Sequence, residues 1–170
     1  MDRKKILIDS WISNTEQLTK KISEFDFETF NRKPADGGWS AGEIAEHILI
    51  FDIRLNTVLP DATSPSQRDP HAQIKSISDR LEDRGNKIDA PEFLKPSGIA
   101  TDPQAIIEKI RTERNKVLRF IDDNDLSLTN AKTPHRLFGT LTALEWIALV
   151  MQHTARHLHQ FDDMLRNQSQ

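Results

Sequence analysis

Apolar residues recur along this chain at steps of three and four, and strict alternation with polar residues is absent, so the pattern predicts helices and no strands. Ile8, Trp11, Ile12, Thr15, Leu18, Ile22 and Phe25 form one stripe, predicting an amphipathic helix over about residues 3–25. The run from Asn31 to Gly38, with Pro34, Gly37 and Gly38, breaks it. Ser40 then stands three residues before Glu43, the spacing at which a hydroxyl and a carboxylate cap a helix reciprocally. The helix they open, from about Ile44 to Leu59, carries Ile44, His47, Ile48, Phe51 and Leu55 on one stripe, and Pro60 stops it.

Residues 60–100 are punctuated by Pro60, Pro65, Pro70, Pro91 and Pro96, with room between His71 and Lys87 for a short helix carrying Ile74, Ile77 and Leu81. Connections this long usually serve function, so a partly ordered crossover or lid is expected. Asp102 and Pro103 mark the start of a third long helix as its cap and first residue. Ile106, Ile107, Ile110, Val117, Leu118 and Ile121 supply its inner face, and it ends by Asp125. A last helix, roughly Thr142 to Arg166, groups Leu149, Val150, His153, His157, Gln160, Phe161 and Met164. The expected fold is all-α: an antiparallel four-helix bundle with a long connection between helices 2 and 3, in one domain over residues 1–170.

Composition narrows the chemistry. Lys and Arg number 23 against 26 Asp and Glu, a net charge of −3, so no basic face for nucleic acid is expected. The start lacks the apolar run of a secretory signal, and the most apolar stretch, Leu141 to Met151, carries Glu145 and is far short of a membrane span. A cytoplasmic protein without a membrane partner is the expectation. The sequence contains no cysteine, which excludes thiol nucleophiles, disulfides and thiolate metal sites, and no tyrosine. Reactivity must come from histidine, carboxylates, hydroxyls, Lys/Arg or a metal.

His153 and His157, four apart on the last helix, project from one face about a turn apart, where two imidazoles can share a metal. Six histidines scattered at random would give such a pair in about one chain in six, so spacing alone is weak. The setting adds more. Both lie among Leu149, Val150 and Phe161, and His47 faces inward among Ile44, Ile48 and Phe51. A single inward histidine is more often satisfied by a hydrogen bond, but three from two helices favour a divalent metal with positions left open.

The other candidates read more plainly. His159 turns about 200° from His157, to the surface. His71 and His135 fall in loops and carry no assigned chemistry. Gln160 either orients a ligand imidazole or a bound water, or is a polar residue at the bundle end. Trp39 reads as a staple at the helix entry, Trp146 as core and Arg156 as surface. Glu43 is spoken for by capping, and Glu46 turns about 100° from His47. No Gly-rich phosphate loop, serine elbow or HExxH segment is present.

The stretch from Trp39 through Ser40 to His47 resembles the entry to the second helix in the DinB-like superfamily. Phe138 to Trp146, followed by His153, His157 and Gln160, is similar to that family's last-helix signature. The likeness runs in order over nearly the whole chain and is loosest between 60 and 100. It implies a DinB/YfiT-like four-helix bundle, often dimeric, with His47, His153 and His157 as ligands of a divalent metal. Zinc or nickel come first, and manganese and iron also accept imidazole.

The family includes transferases that use the thiols bacillithiol or mycothiol, a maleylpyruvate isomerase and members described as metal-dependent hydrolases. The expected function is a metal-dependent transferase joining a low-molecular-weight thiol to an electrophile. The alternatives are a metal-dependent hydrolase and a non-catalytic, stress-related metal-binding module.

Overall fold

A computed structural model describes residues 3–83, 85 and 89–168. They form six helices: α1 (Arg3–Ser23), α2 (Phe27–Asn31), α3 (Ala41–Val58), α4 (Ile74–Glu82), α5 (Pro103–Asp123) and α6 (Ala143–Gln168). Among the described residues extended pairing is limited to isolated bridges, such as His135 with Gly139. No helix among them is long and apolar enough to cross a membrane.

Local chemistry explains the boundaries. The Glu43 N–H donates to the Ser40 hydroxyl (3.2 Å) and the Ser40 N–H to the Glu43 carboxylate (2.8 Å), so both halves of the expected cap are made. Asp102 accepts from the Ala105 N–H (2.9 Å) ahead of Pro103. Thr142 and Glu145 repeat the reciprocal cap at α6, at 2.9 and 3.1 Å. Each such cap is worth about 1 kcal/mol. α2 was too short for periodicity to reveal, and it starts where Asp26 accepts from the Thr29 N–H.

α1 packs on α5 and α6, and α3 packs on the same two, so the four long helices close into a ring of contacts. Their directions are mixed. Lys4 reaches the Asp122 carbonyl, so α1 and α5 run oppositely, as do α3 and α6, where His47 meets His157 and Phe51 meets His153. Asn14 bonds the Met151 carbonyl and Lys21 pairs with Asp162, so α1 and α6 run the same way. This corrects the expectation of an antiparallel arrangement throughout: α3 and α5 are also parallel neighbours. The reason is the long connection, which returns the chain to the end at which α3 began.

Two apolar clusters fill the interior. One gathers Trp11, Leu55, Val58, Val117, Ile121 and Val150, the other Leu18, Ile22, Ile44, Ile48, Ile110 and Phe161. Ile12, expected on the buried stripe, is 38% exposed, since it stands about 100° from Trp11. A polar layer lies between the clusters. Arg114 of α5, fully buried, donates to Asp52 of α3 (2.9 Å), Asn14 of α1 (2.8 Å) and Thr154 of α6 (2.6 Å).

The 60–100 connection is anchored as well. Ile77 and Leu81 of α4 are buried against α6, shorter than the expected span to Lys87, and residues 84 and 86–88 lie outside the described residues. The buried Glu145 carboxylate takes both Arg68 guanidinium nitrogens (2.7 Å each) and the Gln73 N–H (2.8 Å), pinning the connection to the start of α6.

Candidate metal centre

His47 sits on the second turn of α3, whose N-terminus Ser40 and Glu43 cap, and the residue is 4% exposed. His153 and His157 sit one turn apart on α6. The Nε2 atom of His153 lies 2.9 Å from that of His47 and 3.1 Å from that of His157, and one ligand atom from each ring falls within 4.8 Å of the others. Ring nitrogens bound to a common cation at about 2.0–2.1 Å, with angles of about 90–110° between them, stand about 2.9–3.4 Å apart. The 2.9 and 3.1 Å separations fit that range.

The outer nitrogens decide what the inner ones can do. His47 Nδ1 faces the Leu94 carbonyl at 2.6 Å, and a carbonyl only accepts, so the hydrogen is on Nδ1 and Nε2 is bare. His157 Nδ1 faces the Gln160 side-chain oxygen at 2.5 Å, with the same consequence. Two bare nitrogens therefore converge on His153, whose own Nδ1 is buried without a partner among the described residues. Lone pairs crowded together repel unless a proton or a cation sits among them. The donor set, neutral imidazole, is what a borderline-soft divalent metal takes.

Burial, the largest cause in each case, pushes all three imidazoles below the ordinary histidine range. His47 is held back in part by its Leu94 bond, and His157 is pushed down to about 3 despite the opposing Gln160 bond. His153 is pushed well below that range, with the other two rings and the Arg114 and Arg156 charges adding to burial. The rings are thus neutral, as ligands must be.

A model of the DinB superfamily matches residues 9–161. The chain belongs to the DinB superfamily. It is 26% identical over 144 residues to the uncharacterized protein YuaE of Bacillus subtilis (strain 168), covering 81% of this chain and 83% of that protein. No solved structure matches.

For this DinB-superfamily chain the three histidines read from spacing do come together. The Gln160 side-chain oxygen stands 2.5 Å from His157 Nδ1. Trp39 packs its ring 5.0 Å from that of His47, so it borders the site as well as the helix entry. Glu43 is held by its cap and by Lys33, and Glu46 accepts from Ser97, so both are committed elsewhere. His159 is exposed, and His71 pairs with Asp69 away from the site.

Sequence reasoning missed the walls. A cavity of about 380 Å³ opens over the three rings, and His135 and Arg156, read as loop and surface residues, both line it. His135 sits in a loop, where no periodicity assigns a direction. Arg54, also on the wall, carried a usable signal: seven residues after His47, it returns to the same helix face. The connection contributes Arg80, Leu81, Phe93 and Leu94 to the wall, so it is a built side of the cavity.

Proposed function

We propose that this protein is a metal-dependent enzyme in which His47, His153 and His157 hold a divalent cation and a low-molecular-weight thiol attacks an electrophile in the cavity above. The observation that carries this is the convergence of three neutral ring nitrogens at the base of a cavity, two of them bared by fixed acceptors at Leu94 and Gln160. When bound, the cation supplies the acidity that gives a thiolate at neutral pH, a nucleophile the cysteine-free chain lacks. Leu94 and Gln160 orient the ligand rings, while Trp39 and Phe51 shield His47 and His153 from water. Three protein ligands leave positions for substrate, unlike the four that close a structural zinc site.

In the same reading the ring of long helices is a four-helix bundle forming one domain over residues 1–170, and the protein is a cytoplasmic homodimer. Hydrolysis is the second reading. It needs a general base, and with Glu43 and Glu46 committed, the carboxylate on the cavity wall among the described residues is Asp89.

The test uses protein loaded in turn with zinc, nickel, manganese and iron, mixed with monochlorobimane and a panel of thiols that includes bacillithiol, glutathione and cysteine. Transfer faster than the protein-free rate, removed by chelator and by His153→Ala, is expected. No acceleration with any metal and thiol would sink the transferase reading.

A further inference from the structure

The cavity walls are of two kinds. Trp39, Phe51, Leu81, Phe138, Trp146 and Leu149 make apolar surface, while among the described residues the charged groups are Arg54, Arg80, Arg136 and Arg156 against a single carboxylate, Asp89. The chain as a whole carries −3, so the cavity reverses the sign of the molecule. Arg156 is occupied, donating to the Leu81 and Asp83 carbonyls. Arg54, Arg80 and Arg136 enter no ion pair among the described residues, and Arg54 lies 4.8 Å over the Phe93 ring. Guanidiniums without counter-ions, set beside apolar surface, attract anions more strongly than they would in open water.

His135 stands with them. Its backbone exchanges both hydrogen bonds with Gly139, at 2.8 Å each, closing a tight turn in which Gly139 takes φ +68°, which glycine adopts without strain. The ring stacks on Phe138 (5.0 Å) and meets the edge of Trp146 (5.5 Å). The Leu137 N–H donates to His135 Nδ1 at 3.2 Å, so the ring hydrogen is on Nε2. That nitrogen is a donor of fixed direction with no protein partner among the described residues. His135, Arg54 and Arg136 line the same cavity, and burial first, then the charges of Arg136 and Arg54, push this ring down to about 4, which keeps it neutral.

We infer that the cavity selects an organic anion, its apolar body laid against Phe138, Trp146 and Phe51 and its carboxylate held by Arg136, Arg54 and the Nε2–H of His135. The inference rests on the preceding reading in taking this cavity as the substrate cavity, and adds the charge and shape of what enters. A carboxylate offers two coplanar acceptors, the match for a guanidinium fork. About 380 Å³ is toward the small end of ligand sites, suited to a small molecule with one ring.

The test is calorimetry with three probes sharing one phenylpropyl skeleton, 3-phenylpropionate, 3-phenylpropan-1-ol and 3-phenylpropylamine, on the full chain stripped of metal and then metal-loaded. Without metal the carboxylate is expected to bind about ten-fold more tightly than the alcohol, and the amine more weakly than either. In the double variant Arg54→Gln/Arg136→Gln the preference falls below about three-fold while the alcohol binds as before. Arg136→Gln alone, at an exposed position on the turn, lowers the preference part of the way. Equal affinities for carboxylate and alcohol, or a preference unchanged in the double variant, would overturn the inference. Because the first comparison contains no metal, failure of the metal reading leaves the preference standing, and failure of the preference leaves metal binding standing.

Discussion

Arg114→Met should be the most damaging single change away from the site. The Arg114 guanidinium reaches Asp52, Asn14 and Thr154, and lies 5.1 Å over the Trp11 ring, so one side chain ties α5 to α1, α3 and α6. Asp52 is fully buried and its second oxygen has no partner among the described residues, so its charge depends on the Arg114 contact. Removing one member of a buried pair costs about 3–5 kcal/mol, because the other charge is left without compensation.

For a chain of this size that corresponds to a fall in Tm of roughly 6–20 °C, read by circular dichroism. Asp52→Leu/Arg114→Met removes both charges and should recover about 2 kcal/mol or more of the loss. The pH dependence has a definite sign. Burial raises the Asp52 pKa, with Arg114 opposing, so the stability its carboxyl contributes is present at low pH and lost as pH rises through the folded value. Without Arg114 that value climbs further, and the variant should lose more stability at pH 8 than at pH 5. An Arg114→Met protein within about 1 kcal/mol of the parent, or a double variant no better than the single, would refute this reasoning.

Other outcomes follow from the same structure. Glu145→Gln should cost about 2–4 kcal/mol and raise proteolysis within 65–100, since the amide cannot accept from Arg68 and the backbone donors together. Burial raises the Glu145 pKa, but Arg68, Thr142 and Gln73 outweigh it and hold it low, so the parent's advantage over this variant should fade as pH drops below about 4.5. Gln160→Ala, at an exposed position, should leave the fold intact and weaken metal binding about ten-fold in a chelator competition, by releasing His157 Nδ1. Burial lowers all four cavity histidines, His135 to about 4 and His157 to about 3. Unfolded histidines take protons from about pH 6.5 downward and these only at lower pH, so the metal-free protein should lose urea stability between pH 7 and pH 5, and a flat profile would contradict the assignment.

Helical periodicity made His47, His153 and His157 readable because a helix converts spacing into direction: each stood on a stripe of mostly apolar residues. The caps at Ser40 and Asp102 were equally readable, being local chemistry over three residues. Helix directions were not, because they depend on where the 60–100 connection delivers α5, and that is set by Glu145 gripping Arg68 and Gln73 some seventy residues away. His135 was invisible for a related reason. Its surroundings are made by a turn closing on Gly139 and by Trp146 from α6, and neither is written into the neighbouring sequence.

Titration of metal-stripped protein with zinc, alongside His47→Ala, His153→Ala and His157→Ala, tests the centre most directly. The account predicts one tightly held ion per chain in the parent and an affinity at least about a hundred-fold weaker in each variant, with helical content unchanged. An ion bound equally well by all four proteins, or by none, would contradict it.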